Sequence, residues 1–147
     1  MILVDDGSSD RTVEVAEGLG LRTFVHTKNR GYGGNQKAGY RWAIESGLDI
    51  VVMLHGDGQY APEFLPEIVQ PLLRGEADAV FGSRMIHDHD ALQGGMPFYK
   101  WIGNKVLTNF QNWMLGSNLS EFHSGYRLYS VAALRKIPFE RNSNDFH

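Results

Sequence analysis

The sequence predicts an α/β fold with a mostly parallel sheet flanked by helices. Short apolar runs alternate with segments of helical pattern along the first half of the chain. The run Ile50–Leu54 is apolar throughout, which is typical of a parallel strand covered on both faces. Polar clusters rich in glycine follow such runs directly, and open α/β sheets bind ligands at the carboxyl ends of their strands.

The first elements alternate regularly between strand and helix. Residues 2–4 predict a strand, and a helix follows over about 10–19, where glycines mark its end. Residues 21–26 predict a second strand, and residues 35–46 predict a helix that stops at Gly47.

Later elements are less regular. A helical segment over 62–74 begins with prolines, and Pro71 should kink it. Residues 79–81 predict another strand. Apolar residues spaced near a helical period predict a helix over 98–115. An aromatic stripe of this kind more often packs in a protein core than against a membrane. The lysines between the aromatic residues leave a membrane-interface role open as the alternative. Ser130 is expected to cap a short final helix.

Length and composition limit the classes of function. With 147 residues, a net charge of −3 and an apolar share of 42%, we expect a single domain over residues 1–147. This balance of charge lacks the footprint of a nucleic-acid-binding protein. The absence of cysteine excludes thiolate metal sites and suits a reducing compartment. No apolar run approaches the ~20 residues that span a bilayer, which favours a cytoplasmic protein. Because the chain opens on a core strand, we expect a fragment truncated at both ends.

The first polar cluster runs from Asp5 to Asp10, directly after the first strand. Its carboxylates and hydroxyls can hydrogen-bond a base or a ribose, and Gly7 permits a tight turn. Ser9 or Asp10 can also cap the following helix. Capping does not require two adjacent acids at a strand end, so a ligand contact is the favoured interpretation.

The second cluster follows the strongest predicted strand and contains His55, Gly56, Asp57 and Gln59. The flanking glycines let the backbone approach a ligand closely, so Gly56 and Asp57 are expected to contact a nucleotide. A carboxylate and an amide oxygen two residues apart can bind one hard cation, Mg²⁺ or Mn²⁺. The alternative is a hairpin turn at Asp57-Gly58, and His55 alone is ambiguous between a ligand and a structural residue.

Two arginines and one glycine-rich loop complete the candidate site. Arg84 and Arg127 each follow a Gly/Ser pair, and a guanidinium binds phosphate in bidentate fashion. The loop Gly31–Gly34, with Lys37 beyond it, can cradle ribose or phosphate through Gly34 and the lysine. Neither a Walker A sequence nor a G-x-G-x-x-G pattern is present.

In this order, these clusters resemble family 2 glycosyltransferases of the GT-A fold, a Rossmann-like α/β architecture, and within them the dolichol-phosphate mannosyltransferase-like branch. The ordered set covers nearly the whole chain and is far more specific than any single motif. The matching segments are Asp5–Asp10, Asn29–Gly34, Asp57-Gly58-Gln59 with Pro62-Glu63, Gly82-Ser83-Arg84 and Ser124-Gly125-Tyr126-Arg127.

The resemblance implies a sugar transfer from a nucleotide-activated donor. Asp5 and Asp6 would contact the nucleoside, and Asp57 would bind the divalent cation and the donor diphosphate, with Gln59 as a second metal ligand. The family usually has Asp-x-Asp at the metal motif, and His55 stands here at its first position. An imidazole can ligate Mn²⁺, but one negative charge is lost.

The resemblance also implies an acceptor. Arg84 and Arg127 would hold the phosphates of the donor or of a lipid acceptor, at a membrane surface. Attack on the anomeric carbon from the opposite face gives inversion. A polyprenyl phosphate acceptor is already anionic, whereas a hydroxyl acceptor needs a base such as Glu121, which stands where relatives commonly have an aspartate. The protein would then lie in the cytoplasm or peripherally on the cytoplasmic membrane face.

Three other functions remain as alternatives. A nucleotidyltransferase uses a similar fold and metal but releases pyrophosphate. A non-catalytic module would bind a nucleotide sugar without transferring it, and His55 would then mark a damaged metal site. A nicotinamide-dependent dehydrogenase ranks last, because the glycine spacing fits poorly.

Overall fold

The computed structural model describes residues 1–58, 60–83, 85–86, 90–93 and 95–145, without the side chains of Asp90 and Gln93. Gln59 and Arg84, predicted to bind metal and phosphate, lie outside the described residues. The chain forms two compact units. Unit 1 comprises Met1–Val51 with the segment from Tyr129 onward, and unit 2 comprises Val52–Leu128.

Helices and strands alternate, which confirms the α/β class. The strands are β1 (Ile2–Asp5), β2 (Arg22–Val25), β3 (Ile50–Met53), β4 (Ala79–Phe81) and β5 (Arg127–Ser130). The helices are α1 (Thr12–Gly18), α2 (Tyr32–Glu45), α3 (Leu65–Ile68), α4 (Gln70–Leu73), α5 (Asp90–Gln93), α6 (Phe98–Leu115) and α7 (Val131–Leu134), with 3₁₀ turns at Pro62–Phe64 and Phe139–Arg141.

The described strands form two sheets. In the first, β1 and β2 pair in parallel, with Ile2 opposite Arg22 and Asp5 opposite Val25. In the second, the strand order is β3-β5-β4. The parallel pair has α1 as its crossover, so the loop after β1 and the loop after β2 leave the same edge of the sheet. That edge carries the predicted nucleoside cluster and the glycine-rich loop.

Element boundaries follow local chemistry closely. Helix α6 and strand β4 have the predicted limits, and the Ser130 hydroxyl accepts the Ala133 N–H at 3.1 Å, which confirms the predicted cap. Helix α2 begins at Tyr32, three residues earlier than predicted, because Gly31 takes a left-handed φ of 80° immediately before it. The predicted helical segment with Pro71 is interrupted, and α3 and α4 are separate short helices.

Helix α6 is amphipathic, but its apolar face is exposed and its polar face is buried, which is the opposite of a core helix. Its buried residue is Thr108, at 4% exposure. Large apolar side chains point to solvent instead: Phe98, Tyr99, Ile102, Val106, Leu107, Phe110, Trp113, Met114 and Leu115, with Trp113 79% exposed. The expectation that this stripe is core is therefore wrong for unit 2 as described. No helix in the described ranges is long and apolar enough to cross a bilayer.

Candidate functional site

The loop after β1 is organised around the Asp5 carboxylate. Asp5 is 4% exposed, and its Oδ2 accepts the N–H groups of Gly7 at 3.0 Å and Ser8 at 2.9 Å. The Ser8 hydroxyl donates to the other oxygen and is the main cause that lowers the pKa of Asp5 below its ordinary value, while burial opposes the shift. The carboxylate therefore stays ionised and folds the loop around itself.

The neighbouring acids make different contacts. Asp6 is half-buried, and its Oδ1 accepts the backbone N–H of Arg30 at 2.7 Å, which joins the loop after β1 to the loop after β2. Asp10 accepts the N–H of Thr12 at 2.9 Å at the start of α1. The N-cap of α1 is Arg11, which makes no side-chain cap hydrogen bond, so the predicted capping by Ser9 or Asp10 is wrong, and Asp10 stabilises the turn that precedes the helix. Both acids at the strand end serve loop structure.

The glycine-rich loop and Lys37 contact the terminal segment of the same unit. The carbonyl of Asn144 accepts the N–H groups of Gly33 at 2.8 Å and Gly34 at 3.2 Å, at the start of α2. The ammonium of Lys37, which is 6% exposed, donates to the carbonyls of Glu140 and Asn142 and to Oδ1 of Asn144. In this conformation, oxygens of residues 140–144 occupy the donors that were predicted to hold ribose or phosphate.

Three predicted motifs of unit 2 come into direct contact. The Tyr60 hydroxyl accepts the N–H of Gly125 at 2.6 Å. The Ser124 hydroxyl donates to the carbonyl of Gly82, and the Gly82 N–H donates to the carbonyl of Tyr126 at 2.9 Å. One cluster of loops is therefore formed by three segments that are far apart in sequence: residues 55–58 with Tyr60, residues 82–83 and residues 124–127.

Asp57 and His55 occupy different environments within this cluster. Asp57 is exposed, as are the flanking glycines. The His55 ring is half-buried and lies edge-on to Tyr60, with 5.9 Å between ring centroids. No group of three or more His, Cys, Asp or Glu side chains among the described residues could hold a metal ion by itself.

The remaining predicted residues of unit 2 are Arg127 and Glu121. The Arg127 Nε donates to the Ser124 carbonyl at 2.7 Å, so the arginine is anchored on the loop that precedes β5. Glu121 is 2% exposed and accepts Nδ2 of Asn104 from α6 at 3.1 Å. Asn104 also accepts the hydroxyl of Thr108 at 3.2 Å, so the polar inner face of α6 contacts this carboxylate.

Two tyrosines of the cluster were not predicted as site residues. Tyr60 links the segment after β3 to Gly125, and Tyr126 packs against Gly82 with its hydroxyl buried and unpartnered in the described structure. Burial raises the pKa of Tyr126 above its ordinary value, and the charge of Glu63 adds to the shift. Their place beside glycine-containing motifs was the available signal, but aromatic residues near turns are too common to indicate a site.

The predicted site residues thus fall into two groups. Unit 1 contains Asp5, Asp6, Gly34 and Lys37, and unit 2 contains His55, Gly56, Asp57 and Glu121, with Arg127 at the start of β5. Contacts within unit 2 bring His55 and the Ser124–Arg127 loop together, as the resemblance requires of neighbouring motifs.

Comparison with known proteins identifies the family. The model of glycosyl transferase family 2 matches residues 1–138. An uncharacterised protein of Methanocaldococcus jannaschii is 36% identical over 93% of this chain and 56% of its own length. The undecaprenyl-phosphate mannosyltransferase of Micrococcus luteus is 31% identical over 95% of this chain and 58% of its own length. The UDP-N-acetylglucosamine–dolichyl-phosphate N-acetylglucosaminyltransferase of Methanococcus voltae is 30% identical, over 93% and 61%.

The chain spans less than two thirds of the length of these relatives. The match nevertheless covers every motif from the loop after β1 to the loop before β5. The chain therefore belongs to glycosyl transferase family 2.

Proposed function

We propose that this protein transfers a sugar from a nucleotide-activated donor to a polyprenyl phosphate, with inversion at the anomeric carbon. The observation that carries the proposal is the cluster of loops in unit 2, where residues 55–58 with Tyr60, residues 82–83 and residues 124–127 are joined by hydrogen bonds. Three motifs that are far apart in sequence meet there, and they follow one another along the chain in the same order as the family motifs. The similar proteins that are named for polyprenyl-type lipid phosphates support this choice of acceptor.

Asp57 is proposed to hold Mg²⁺ or Mn²⁺ together with the donor diphosphate. Its exposed carboxylate suits Mg²⁺, which usually takes one or two carboxylates, substrate phosphates and several waters. The cation therefore does not need several acidic side chains as ligands, and the Asp57 carboxylate can bind it together with the donor diphosphate. The bound cation would neutralise the departing diphosphate.

The other residues bind and orient the substrates. Asp5 and Asp6 are proposed to contact the nucleoside, Asp6 through its half-buried carboxylate and the buried Asp5 through the loop that its hydrogen bonds hold in place. Gly56 is proposed to add a nucleotide contact, Gln59 a metal contact, and Arg84 and Arg127 phosphate contacts. Gly34 and Lys37 are proposed to contact the nucleotide only when the oxygens of residues 140–144 have left their donors. Glu121 would act as a base only with a hydroxyl acceptor, because a phosphate acceptor is already anionic.

The outer face of α6 is proposed to lie on an anionic membrane surface, where a lipid acceptor is available. The helix carries Lys100 and Lys105 and no acidic residue. Lys105 Nζ lies 4.3 Å from the centre of the Trp101 ring, so a cation stands beside aromatic surface, as in helices that bind the lipid interface. The polar inner face is already occupied by contacts to Glu121 and to the Leu119 carbonyl. The protein would then be peripheral to the cytoplasmic membrane face.

A turnover assay tests the enzymatic proposal. The complete gene product is incubated with UDP- and GDP-sugars, polyprenyl phosphate and Mn²⁺, and the released nucleoside phosphates are identified. We expect release of a nucleoside diphosphate that requires Mn²⁺ or Mg²⁺. Asp57→Asn should reduce turnover at least 100-fold, whereas Asp49→Asn, an exposed aspartate before β3, serves as the matched control and should leave turnover unchanged.

The same assay separates the alternative functions. Release of pyrophosphate would identify a nucleotidyltransferase, and binding of a nucleotide sugar without any transfer or hydrolysis would identify a binding module. Full turnover in Asp57→Asn would refute the metal assignment.

Vesicle binding tests the membrane proposal. We expect cosedimentation with phosphatidylglycerol vesicles that weakens as salt rises, and weakens about tenfold or more in a Phe110→Ser/Trp113→Ser double variant. Leu19→Ser removes an apolar side chain that is 72% exposed in unit 1, and should leave binding unchanged. Concentration-dependent dimers without vesicle binding, abolished by the double variant, would instead assign this face to a second copy of the chain.

A further inference from the structure

The His55 ring lies directly against the backbone of Gly125. A β-carbon at position 125 would be 2.6 Å from Cε1 of His55 and 2.9 Å from both ring nitrogens, well inside van der Waals contact. Gly125 is buried, and its φ is not in the left-handed region. A side chain at position 125 would therefore require the neighbouring ring to move, whereas the backbone conformation itself would permit one.

Tyr60 completes a three-residue contact around this point. Its hydroxyl accepts the Gly125 N–H at 2.6 Å, and its ring meets that of His55 edge-on. On its other side, the Tyr60 ring lies 6.0 Å from that of Tyr126, again tilted towards an edge-on geometry. We call His55, Tyr60 and Gly125 the His55 latch.

The latch fixes two functional segments relative to each other. Asp57 lies between His55 and Tyr60 in sequence, so both ends of its turn are held against Gly125. Arg127 is two residues beyond Gly125 and is anchored by its Nε to the Ser124 carbonyl. A shift of the ring would therefore move the proposed cation-binding carboxylate relative to the proposed phosphate-binding guanidinium.

We propose that His55 is a positioning residue, whose ring packing sets the distance between Asp57 and Arg127, and that it is not a ligand of the cation. This inference rests on the proposed function for its catalytic consequence only. The ring takes the place that the family's Asp-x-Asp pattern gives to a carboxylate, and an aspartate is too short to place atoms where Cε1 and Nε2 of the ring lie against Gly125. The motif then has one negative charge fewer than the family's Asp-x-Asp pattern because residue 55 serves in packing.

A double-mutant cycle tests the packing part without any assay of turnover. Gly125→Ala alone forces a methyl group into the ring and should lower the thermal unfolding midpoint by about 5 °C. In a His55→Ala background the same methyl group enters vacated space, so the further loss should be less than half as large. Gly103→Ala, in α6 with open space around it, is the matched control. Additive losses would overturn the latch.

His55→Phe separates packing from ligation, because it retains a planar ring and removes both nitrogens. Titration with Mn²⁺ alone and with Mn²⁺ plus UDP or GDP, followed by electron paramagnetic resonance, should give affinities within about twofold of the parent. Asp57→Asn should lower the affinity at least tenfold. A comparable loss in His55→Phe, with an unchanged unfolding midpoint, would show that the imidazole binds the metal and would overturn the proposal.

Kinetics then links the latch to the reaction. His55→Ala should raise the KM for the nucleotide sugar about tenfold or more, and His55→Phe should restore most of it. An unchanged KM in His55→Ala, in a protein that does turn over, would overturn the positioning role. If no variant and no parent protein turns over any donor, the proposed function fails, while the cycle and the Mn²⁺ titrations still decide the latch.

Discussion

At the scale of single residues, the buried Asp5 carboxylate organises the loop after β1. It accepts two backbone N–H groups and the Ser8 hydroxyl. Asp5→Asn should reduce the free energy of unfolding by about 1.5–3 kcal/mol at pH 7, the range for hydrogen bonds to charged groups. Denaturant titration measures the loss, and Asp49→Asn, an exposed aspartate of the same unit, should change little. An unchanged midpoint in Asp5→Asn would mean that the loop does not depend on this charge.

The pKa of Asp5 makes the same contribution dependent on pH. Folding lowers this pKa, so the folded state retains the carboxylate more strongly than the unfolded state. The stabilisation is present above the ordinary aspartate value of about 3.9 and is lost as the pH falls through the lower folded value. Unfolding measured from pH 7 down to pH 2 should therefore show the difference between parent and Asp5→Asn shrinking only below about pH 4. A constant difference would contradict the shift.

The sequence predicted which residues lie at the ends of the strands better than it predicted their hydrogen-bond partners. Asp5, Asp6 and Asp57 were predicted from acidic residues near strand ends, and the structure has Asp5 as the last residue of β1, Asp6 directly after it and Asp57 four residues after β3. The partner of Asp6 could not be predicted, because the Arg30 N–H is a backbone group of a kind that nearly every residue carries. The same holds for the Asn144 carbonyl, which binds the glycine-rich loop. The buried ammonium of Lys37 is a clear case, since its partners lie more than 100 positions away.

At the scale of elements, short helices depend on their caps. Helix α7 spans Val131–Leu134, and the Ser130 hydroxyl accepts the N–H of Ala133. Ser130→Ala should cost about 1 kcal/mol of stability, the usual loss for an N-cap. Ser46→Ala, at the exposed carboxyl end of α2, is the control for removing a hydroxyl elsewhere. Equal small effects in both variants, measured by urea unfolding, would show that the cap contributes nothing.

A second element-scale prediction concerns α2 and the terminal segment. Lys37→Met removes the ammonium that binds the carbonyls of Glu140 and Asn142 and the Asn144 side chain. Residues 140–145 should then exchange amide hydrogens faster, by about tenfold or more, because they lose charge-assisted hydrogen bonds. Lys28→Met, at an exposed position of the same unit, should leave that exchange unchanged. Unchanged exchange in Lys37→Met would show that packing alone holds the segment.

Periodicity predicted the limits of α6 but not which face would be buried. Apolar spacing at 3.6 residues shows that a helix has two faces, and burial of the apolar one is the usual inference. Here Asn104, Thr108 and Asn112 make the inward contacts, through Glu121 and the Leu119 carbonyl. The sequence alone contains no signal for this reversal, because nothing in the helix marks the carboxylate of Glu121, which lies beyond its end, as the buried partner of its polar residues.

At the scale of the whole molecule, the proposal assigns one loop of each unit to a different part of the donor, and each assignment is tested by itself. The nucleoside is assigned to the loop after β1, and the diphosphate to the loop after β3. Adding Mn²⁺ with UDP or GDP should therefore slow amide exchange in residues 5–10 and, separately, in residues 55–58. Mn²⁺ alone is the control and should affect only residues 55–58. Unchanged exchange in residues 5–10 would contradict the nucleoside assignment, and unchanged exchange in residues 55–58 would contradict the diphosphate assignment.

The fold class and the family could be predicted from the sequence because they depend on the order of elements and motifs along the chain, and not on which residues contact each other. Strands that alternate with helices, and polar clusters in a fixed sequence, can be recognised along one dimension. The arrangement of β3, β5 and β4 was not accessible, since β5 was not predicted at all. Its four residues, from Arg127 to Ser130, have a polar residue at each end and lack the continuous apolar run that marked β3.

The two glycines that face aromatic rings define how this molecule can vary in evolution or in a mutant library. Gly82 lies 3.1 Å, measured from a β-carbon built on it, from the Tyr126 ring, and Gly125 is similarly close to His55. Saturation libraries should favour glycine at both positions, and more strongly at 125 than at 82, unless the facing ring is randomised at the same time. Gly18 and Gly103 have open surroundings and should accept many residues. The selected sequences should then show covariation between positions 55 and 125 and between positions 82 and 126, which can be detected from the sequences alone.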